Sequence, residues 1–254
     1  MTYTDFHTHT LPHMDDGAKD AATSIKMLTA LASQGVSTVY ATPHFYADEN
    51  SVDEFLKRRE RAYQELCEAT QNVSDLPAIS LGAEIMMCKQ LANMELSGLV
   101  FKDIPLMLFE FPVKSFEKWF VSLTNRISSA NAAIPLIAHI DRYQWTNKAS
   151  LSEFLKISDV CFQVNCEGLE DKNTLKNICY LLENGAKIVL GSDCHNLSGR
   201  RPDFDKATAL SANAKVKLDL FGIHSLDTKL FFRAVQHTER NIVPAPQDDS
   251  GLVF

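Results

Sequence analysis

Seven short runs rich in apolar and β-branched residues recur along this chain, with helical patterns between them. The runs are Tyr3 to His7, Thr38 to Thr42, Ile79 to Glu84, Leu106 to Phe111, Ile134 to His139, Cys161 to Asn165 and Lys187 to Ser192. Each is about one strand long. Among the intervening stretches, Ile25, Leu28, Leu31 and Ala32 keep a 3.6-residue period that stops at Gly35, and Phe55, Ala62, Leu66 and Ala69 form a second stripe. Leu175, Ile178 and Leu182 run up to Gly185, a residue suited to the position after a helix end. Ser51-x-x-Glu54 and Ser150-x-x-Glu153 have the form of capping boxes. The connection from Ile85 to Leu106 carries the weakest helical pattern. Alternation of strands and helices in one chain implies a parallel sheet, and seven such units predict an α/β fold, a distorted TIM-like (β/α)7 barrel. No linker, repeat or low-complexity segment divides the 254 residues, so one domain over 1–254 is expected, with a tail from Pro244 to Phe254.

In parallel α/β architectures reactive residues gather where strands end and the following loops begin. The seven ends read Asp5-Phe6-His7-Thr8-His9, Ala41-Thr42-Pro43-His44, Gly82-Ala83-Glu84, Leu108-Phe109-Glu110, Ala138-His139, Gln163-Val164-Asn165 and Ser192-Asp193-Cys194-His195. Six of these seven close on a metal-ligand residue type. Residues i and i+2 of a strand share a face, so His7 and His9 can offer two imidazoles to one ion. A single histidine at a strand end is ordinarily a hydrogen-bonded structural residue, but five of them together point elsewhere. Glu84 and Glu110 end strongly apolar runs, where an unpaired carboxylate is costly to bury. They require cations or strong donors. Asp15-Asp16-Gly17 has the composition of an ordinary turn, yet beside His7-Thr8-His9 either Asp15 or Asp16 could fold back as a ligand. His13 in the same loop has no assigned part, and His224 and His237 read as structural or surface residues.

Imidazole and carboxylate donors without thiolate suit Mn²⁺, Fe or Zn²⁺ better than Mg²⁺. The set exceeds what one ion can use and is sufficient for two or three. Three divalent ions would outweigh one loop aspartate with Glu84, Glu110 and Asp193, leaving a positive site for an anion, and phosphate fits that balance. The formal charge of −7 argues against nucleic acid as the main partner. No apolar run approaches a membrane span and no signal-peptide pattern opens the chain. The six cysteines lack a C-x-x-C pair and read as reduced thiols, mostly buried, so a cytoplasmic location is expected.

The chain resembles the PHP (polymerase and histidinol phosphatase) superfamily, and within it the manganese-dependent bacterial protein-tyrosine phosphatases of capsule and exopolysaccharide synthesis. The resemblance is carried by His7-Thr8-His9 with Leu11-Pro12-x-x-Asp15-Asp16-Gly17-Ala18-Lys19, then by Ala41-Thr42-Pro43-His44, Gly82-Ala83-Glu84-Ile85, Phe109-Glu110-Phe111, Ala138-His139-Ile140-Asp141-Arg142-Tyr143, Gln163-Val164-Asn165 and Ser192-Asp193-Cys194-His195-Asn196. It implies a PHP fold with one ion on His7, His9, Glu84 and Asp193, a second on Glu84, Glu110 and His139, and a third on a loop Asp, His44 and His195. It further implies that Arg142 and Arg200 hold the phosphate. Family members usually have Glu where Asp141 stands. The implied activity is metal-dependent hydrolysis of phosphotyrosine by ion-activated water, with Mn²⁺ as cofactor and the tyrosine-rich tail of a bacterial tyrosine kinase as partner. The alternatives are a small-molecule phosphoesterase of the histidinol-phosphatase type, a nuclease, a metal-binding module without turnover, or a cysteine-dependent phosphatase. The last arises because Cys194-His195-Asn196-Leu197-Ser198-Gly199-Arg200 satisfies C-x5-R.

Overall fold

The computed structural model describes residues 3–207, so the tail, His224 and His237 lie outside the described residues. In chain order the elements are β1 (Tyr3–Thr8), α1 (Ala21–Ser33), β2 (Val36–Ala41), β3 (His44–Phe45), α2 (Val52–Thr70), β4 (Ala78–Leu81), β5 (Glu84–Met86), β6 (Leu106–Glu110), α3 (Lys118–Ala130), β7 (Ile134–Ile137), α4 (Lys148–Phe154), β8 (Cys161–Asn165), α5 (Lys172–Glu183) and β9 (Lys187–Gly191). Every strand pairing among them is parallel.

Two of the predicted strands are broken. Pro43, which has no N–H to donate, separates β2 from β3, and Gly82-Ala83 separates β4 from β5, so the sheet divides into β1-β2-β4 and β3-β5-β6-β7-β8-β9. Hydrogen bonds from Gly82 N to Ala41 O (2.9 Å) and from Glu84 N to Pro43 O (3.0 Å) carry the ladder across the breaks. The ring closes where β1 meets the end of β9: Thr8 bridges Cys194, and the N–H groups of Asp193 and His9 donate to His7 O and Cys194 O at 2.8 and 3.0 Å. Seven strand positions thus form one α/β ring.

Local chemistry explains the helix boundaries. Ser51 and Glu54 form the expected capping box at the start of α2. The second predicted box is displaced: α4 is capped by Asn147, whose Oδ1 accepts from Ala149 and Ser150 N–H groups, while Ser150 Oγ accepts from Asn147 N. Asn147 outcompetes Ser150 because its longer side chain spans two free amides from the cap position. α5 stops before Gly185, whose φ of 78° is the left-handed conformation the predicted end requires. Between Ile85 and Leu106 lie two short 3-10 helices, Lys89–Asn93 and Ser97–Leu99, instead of an α-helix. The stripe on α2 buries Phe55, Ala62 and Leu66 but leaves Ala69 exposed, since the helix outruns the sheet it covers.

Two apolar layers result. One lies between the ring and its helices and joins Leu28, Leu31, Phe55, Phe120, Phe154 and Ile178. Burying each such side chain contributes about 1.5–3 kcal/mol. The other fills the ring itself with Phe6, Tyr40, Leu106, Leu108, Leu136, Cys161 and Val189. The period of two then lifts different chemistry above that floor, because Glu110 follows Leu106 and Leu108 on one face, and Gln163 and Asn165 follow Cys161 on another. The ring therefore has a hydrocarbon base and a polar mouth at the strands' C-terminal ends.

Candidate metal centre

His7 and His9 stand side by side at the mouth with their Nε2 atoms 3.1 Å apart. Each ring is held by its other nitrogen. His7 Nδ1 lies 3.1 Å from the amide oxygen Oε1 of Gln163, and His9 Nδ1 lies 2.7 Å from Asp15 Oδ2. An amide oxygen and a carboxylate only accept, so both Nδ1 atoms carry protons, and the neutral form of each ring turns an Nε2 lone pair to the same point. Glu84 Oε2 adds acceptors at 3.0 and 3.2 Å from the two Nε2 atoms, and Asp193 Oδ1 lies 3.5 and 3.4 Å from them. Four lone-pair donors that converge within a buried volume and cannot bond one another fit a cation. These residues form one of three such groups in the described residues, the others being His9, Asp16, His44 and His195, and His44, Glu84 and Glu110.

His195 repeats the pattern. Its Nδ1 donates to Asp193 O at 2.9 Å, which leaves Nε2 buried without a hydrogen bond, 3.3 Å from Asp16 Oδ1. His44 Nδ1, Glu84 Oε2 and Glu110 Oε2 are likewise buried without a hydrogen bond. His44 Nδ1 lies 3.0 Å from Glu84 Oε2. His139 Nε2 lies 2.9 Å from Glu84 Oε1 and 3.5 Å from Glu110 Oε1. All the strand-end candidates therefore meet in one place, and Glu84 touches each part of it.

The two loop aspartates separate. Asp16, two-thirds exposed, turns Oδ1 toward His195 and His44 Nε2 at 3.3 and 3.6 Å. Asp15 sits behind His9: Oδ2 accepts from His9 Nδ1 and from His44 N (2.9 Å), and Oδ1 accepts from Gly17 N (2.9 Å). Gly17 permits this fold-back, since a Cβ there would lie 2.3 Å from His9 O. Two other candidates adopt left-handed backbone, Asp193 with φ 49° and His139 with φ 22°. Such conformations cost about 1–3 kcal/mol each and collect at functional sites. His13, by contrast, projects outward toward Glu65 at 3.6 Å.

The carboxylates and imidazoles at the mouth strongly shift one another's protonation. Burial drives the Glu84 carboxyl upward, but the imidazoles of His7, His139 and His44 reverse this and hold it well below the usual carboxylate range. Burial raises Asp193 too, and His7, His9 and His139 overcome it. Correspondingly, His9 rises well above 6.5 through Asp15 against its own burial, and His139 rises to about 10 through Glu110 and Glu84 against burial. His195 goes the other way, lowered to about 3 by burial and the charge on His9.

Arg142 Nη1 donates to Asp193 Oδ2, and Arg200 Nη2 donates to Asp193 Oδ1 at 2.7 Å. Both guanidiniums are about one-third exposed at the mouth. Asp141 faces away from the ligands and accepts from Asn165 N at 2.9 Å. Cys194 is fully buried in the layer beneath the helices, with its thiol pushed well up by burial and then by Asp5. All six cysteines are unpaired. Gln163, one of the strand-end residues to which the sequence assigned no role, is a supporting residue: its Oε1 also accepts from His139 N at 2.6 Å, while its Nε2 donates to Asn165 Oδ1 at 2.8 Å. Its position opposite His7 on the same inward face was the only available cue.

Comparison with known proteins agrees with this architecture. Residues 3–218 match the family described as capsular polysaccharide synthesis, CpsB/CapC. The chain is 30% identical over 244 residues to the tyrosine-protein phosphatase CpsB of Streptococcus pneumoniae, covering 85% of this chain and 94% of that one. It is 30% identical over 208 residues to the tyrosine-protein phosphatase YwqE of Bacillus subtilis, covering 77% and 78%. In fold it matches a structure from work on YwqE and CpsB, described as unique metal-dependent tyrosine phosphatases, with a TM-score of 0.71 at 23% identity over 93% of this chain and 92% of that one. It also matches the histidinol phosphate phosphatase of Lactococcus lactis, solved with zinc, L-histidinol and phosphate, with a TM-score of 0.53 at 16% identity over 81% and 91%.

Proposed function

The chain belongs to the CpsB/CapC family of capsular polysaccharide synthesis, and on that premise we propose that it is a metal-dependent protein-tyrosine phosphatase acting at the strand-end centre. The observation that carries the reading is the pair of Nε2 lone pairs of His7 and His9, 3.1 Å apart, with both Nδ1 protons already committed. A cation takes both lone pairs at once without breaking either buried Nδ1 hydrogen bond. We assign His7, His9, Glu84 and Asp193 to one ion, Glu84, Glu110 and His139 to a second, and Asp16, His44 and His195 to a third. Mn²⁺ is the proposed metal, and the imidazole–carboxylate donor set also accommodates Fe or Zn²⁺.

Divalent ions bound there would polarise the phosphoryl group and lower the pKa of the attacking water. The chain's own residues do the rest. Arg142 and Arg200 exchange their bonds to Asp193 for equatorial phosphoryl oxygens and hold the charge that develops there. Gln163 and Asp15 fix the imidazole tautomers so that no ligand reorients during the reaction. The leaving phenol, with a pKa of about 10, departs with less protonation than an alkoxide needs. The proposed substrate is the tyrosine-rich tail of a bacterial tyrosine kinase that regulates capsule or exopolysaccharide synthesis, met in the cytoplasm. No helix among the described residues is long and apolar enough to cross a membrane. A cysteine-dependent mechanism is disfavoured, because Cys194 is buried with a raised pKa and Arg200 bonds Asp193.

The reading is tested with chelator-stripped protein, with and without added Mn²⁺, on a phosphotyrosyl peptide and on histidinol phosphate. Mn²⁺-restored phosphate release from the peptide alone supports it. Restored activity on histidinol phosphate alone transfers the protein to small-molecule metabolism, and activity insensitive to chelation removes the metal mechanism.

A further inference from the structure

A recess of ≈ 260 Å³ opens beside His44, with Tyr46 and Met14 on its wall among the charged side chains of Asp15, Asp16, Glu49 and Arg58. Small-molecule sites begin at about 300 Å³, so this one admits a single side chain rather than a length of peptide. It adjoins the Asp16 and His44 edge of the candidate centre, and neither Arg142 nor Arg200 lines it. Arg200 Nη1 lies 3.7 Å from Asp16 Oδ2 on the recess wall, so a phosphoryl group held by the arginines would lie at the edge of the recess. The one aromatic side chain of the recess besides His44 is Tyr46. The half-buried Tyr46 ring stacks on the His44 imidazole at 5.2 Å between centroids and 27° between planes. Arg58 ties the opposite walls together, donating to Met14 O at 2.8 Å and to Asn50 Oδ1 at 3.3 Å.

We infer that this recess receives the aromatic ring of the substrate's phosphotyrosine, stacked against Tyr46, which makes Tyr46 the residue that separates aryl from alkyl phosphates. The inference rests on the phosphatase reading above and adds a selectivity that the metal ligands cannot supply, since they meet only the phosphoryl group. A phosphoserine places its short methylene at the rim and leaves the recess unfilled. Stacking of one aromatic pair corresponds to roughly 2- to 13-fold in affinity.

Titration calorimetry of the Mn²⁺-loaded full chain with phenylphosphonate and methylphosphonate, neither of which is hydrolysed, separates the possibilities. The expected result is tighter binding of the phenyl compound by roughly 2- to 13-fold. That preference should persist in Tyr46→Phe and disappear in Tyr46→Ala, with methylphosphonate affinity unchanged in both variants. Equal affinities in the parent chain overturn the inference, as does a preference that survives in Tyr46→Ala. A Tyr46→Ala variant that weakens both compounds alike also overturns it, because Tyr46 would then act only by supporting His44. If Tyr46→Ala does not fold, the parent against Tyr46→Phe still decides whether the ring or the hydroxyl matters. A protein that shows the preference yet releases no phosphate from a phosphotyrosyl peptide keeps the recess and loses the phosphatase reading.

Discussion

Replacing each loop aspartate by asparagine separates a residue that holds a ligand from one that is a ligand. Asp15→Asn preserves shape but removes the charge behind His9, whose Nδ1 proton meets Asp15 Oδ2 at 2.7 Å, and one of the two oxygens that accept from His44 N and Gly17 N. Hydrogen bonds to charged groups contribute about 1.5–3 kcal/mol net. A second, independent scale agrees, since loss of an outer partner of a ligating imidazole typically weakens metal binding about 10- to 100-fold, or about 1.4–2.7 kcal/mol. Asp15→Asn should therefore keep the parent's metal stoichiometry while binding Mn²⁺ about 10- to 100-fold more weakly. Asp16→Asn, altering a side chain two-thirds exposed and 3.3 Å from His195 Nε2, should fold normally and lose one equivalent. Metal content after dialysis, measured by plasma mass spectrometry, gives stoichiometry, and competition with a fluorescent chelator gives affinity. An Asp15→Asn protein short of one equivalent beside a fully loaded Asp16→Asn protein would refute the assignment.

Cys194→Ala should retain phosphotyrosyl turnover within about 2-fold and lose about 1 kcal/mol of stability from the vacated packing; a collapse in kcat with metal still bound would revive the thiolate mechanism. Arg142→Gln and Arg200→Gln should each lower kcat about 100-fold, as removal of a transition-state donor does, while leaving metal content unchanged in the same mass measurement. For chelated protein, thermal denaturation should show Tm falling between about pH 6 and about pH 9. His139 is raised from 6.5 to about 10 when folded, so its contribution is complete below the unfolded value and is lost as pH climbs toward 10. Asp5 and Asp203, raised from 3.8 to about 7 chiefly by burial, act in the same direction as pH passes 7. A Tm that rises across this window would contradict the folded-state protonation described for all three.

The parallel α/β ring was legible because its signal is repeated: seven apolar runs, each closing on a polar residue, leave little choice of architecture. Breaks within the strands were less visible. Pro43 indicates one, but Gly82-Ala83 reads as continuous strand until Thr42 and Phe101 crowd it. The strand-end histidines and carboxylates stood out through their residue types. Their roles relative to each other did not, since the choice between Asp15 and Asp16 depends on a loop folding back over His9 at Gly17. Gln163 was hidden for a different reason: a neutral amide inside a strand resembles any other polar residue until His7 lies across from it. The left-handed backbone at His139 and Asp193 leaves no mark in a one-dimensional pattern, because neither residue is glycine.

Glu84 lies within 3.0–3.2 Å of ring nitrogens from His7, His9 and His44 through Oε2, and 2.9 Å from His139 through Oε1. One side chain therefore stands between the position proposed on His7, His9 and Asp193 and the one proposed on Glu110 and His139, and it also reaches His44. Two cations sharing this carboxylate would each alter the charge that holds the other, so occupancy of the two positions would be coupled rather than independent.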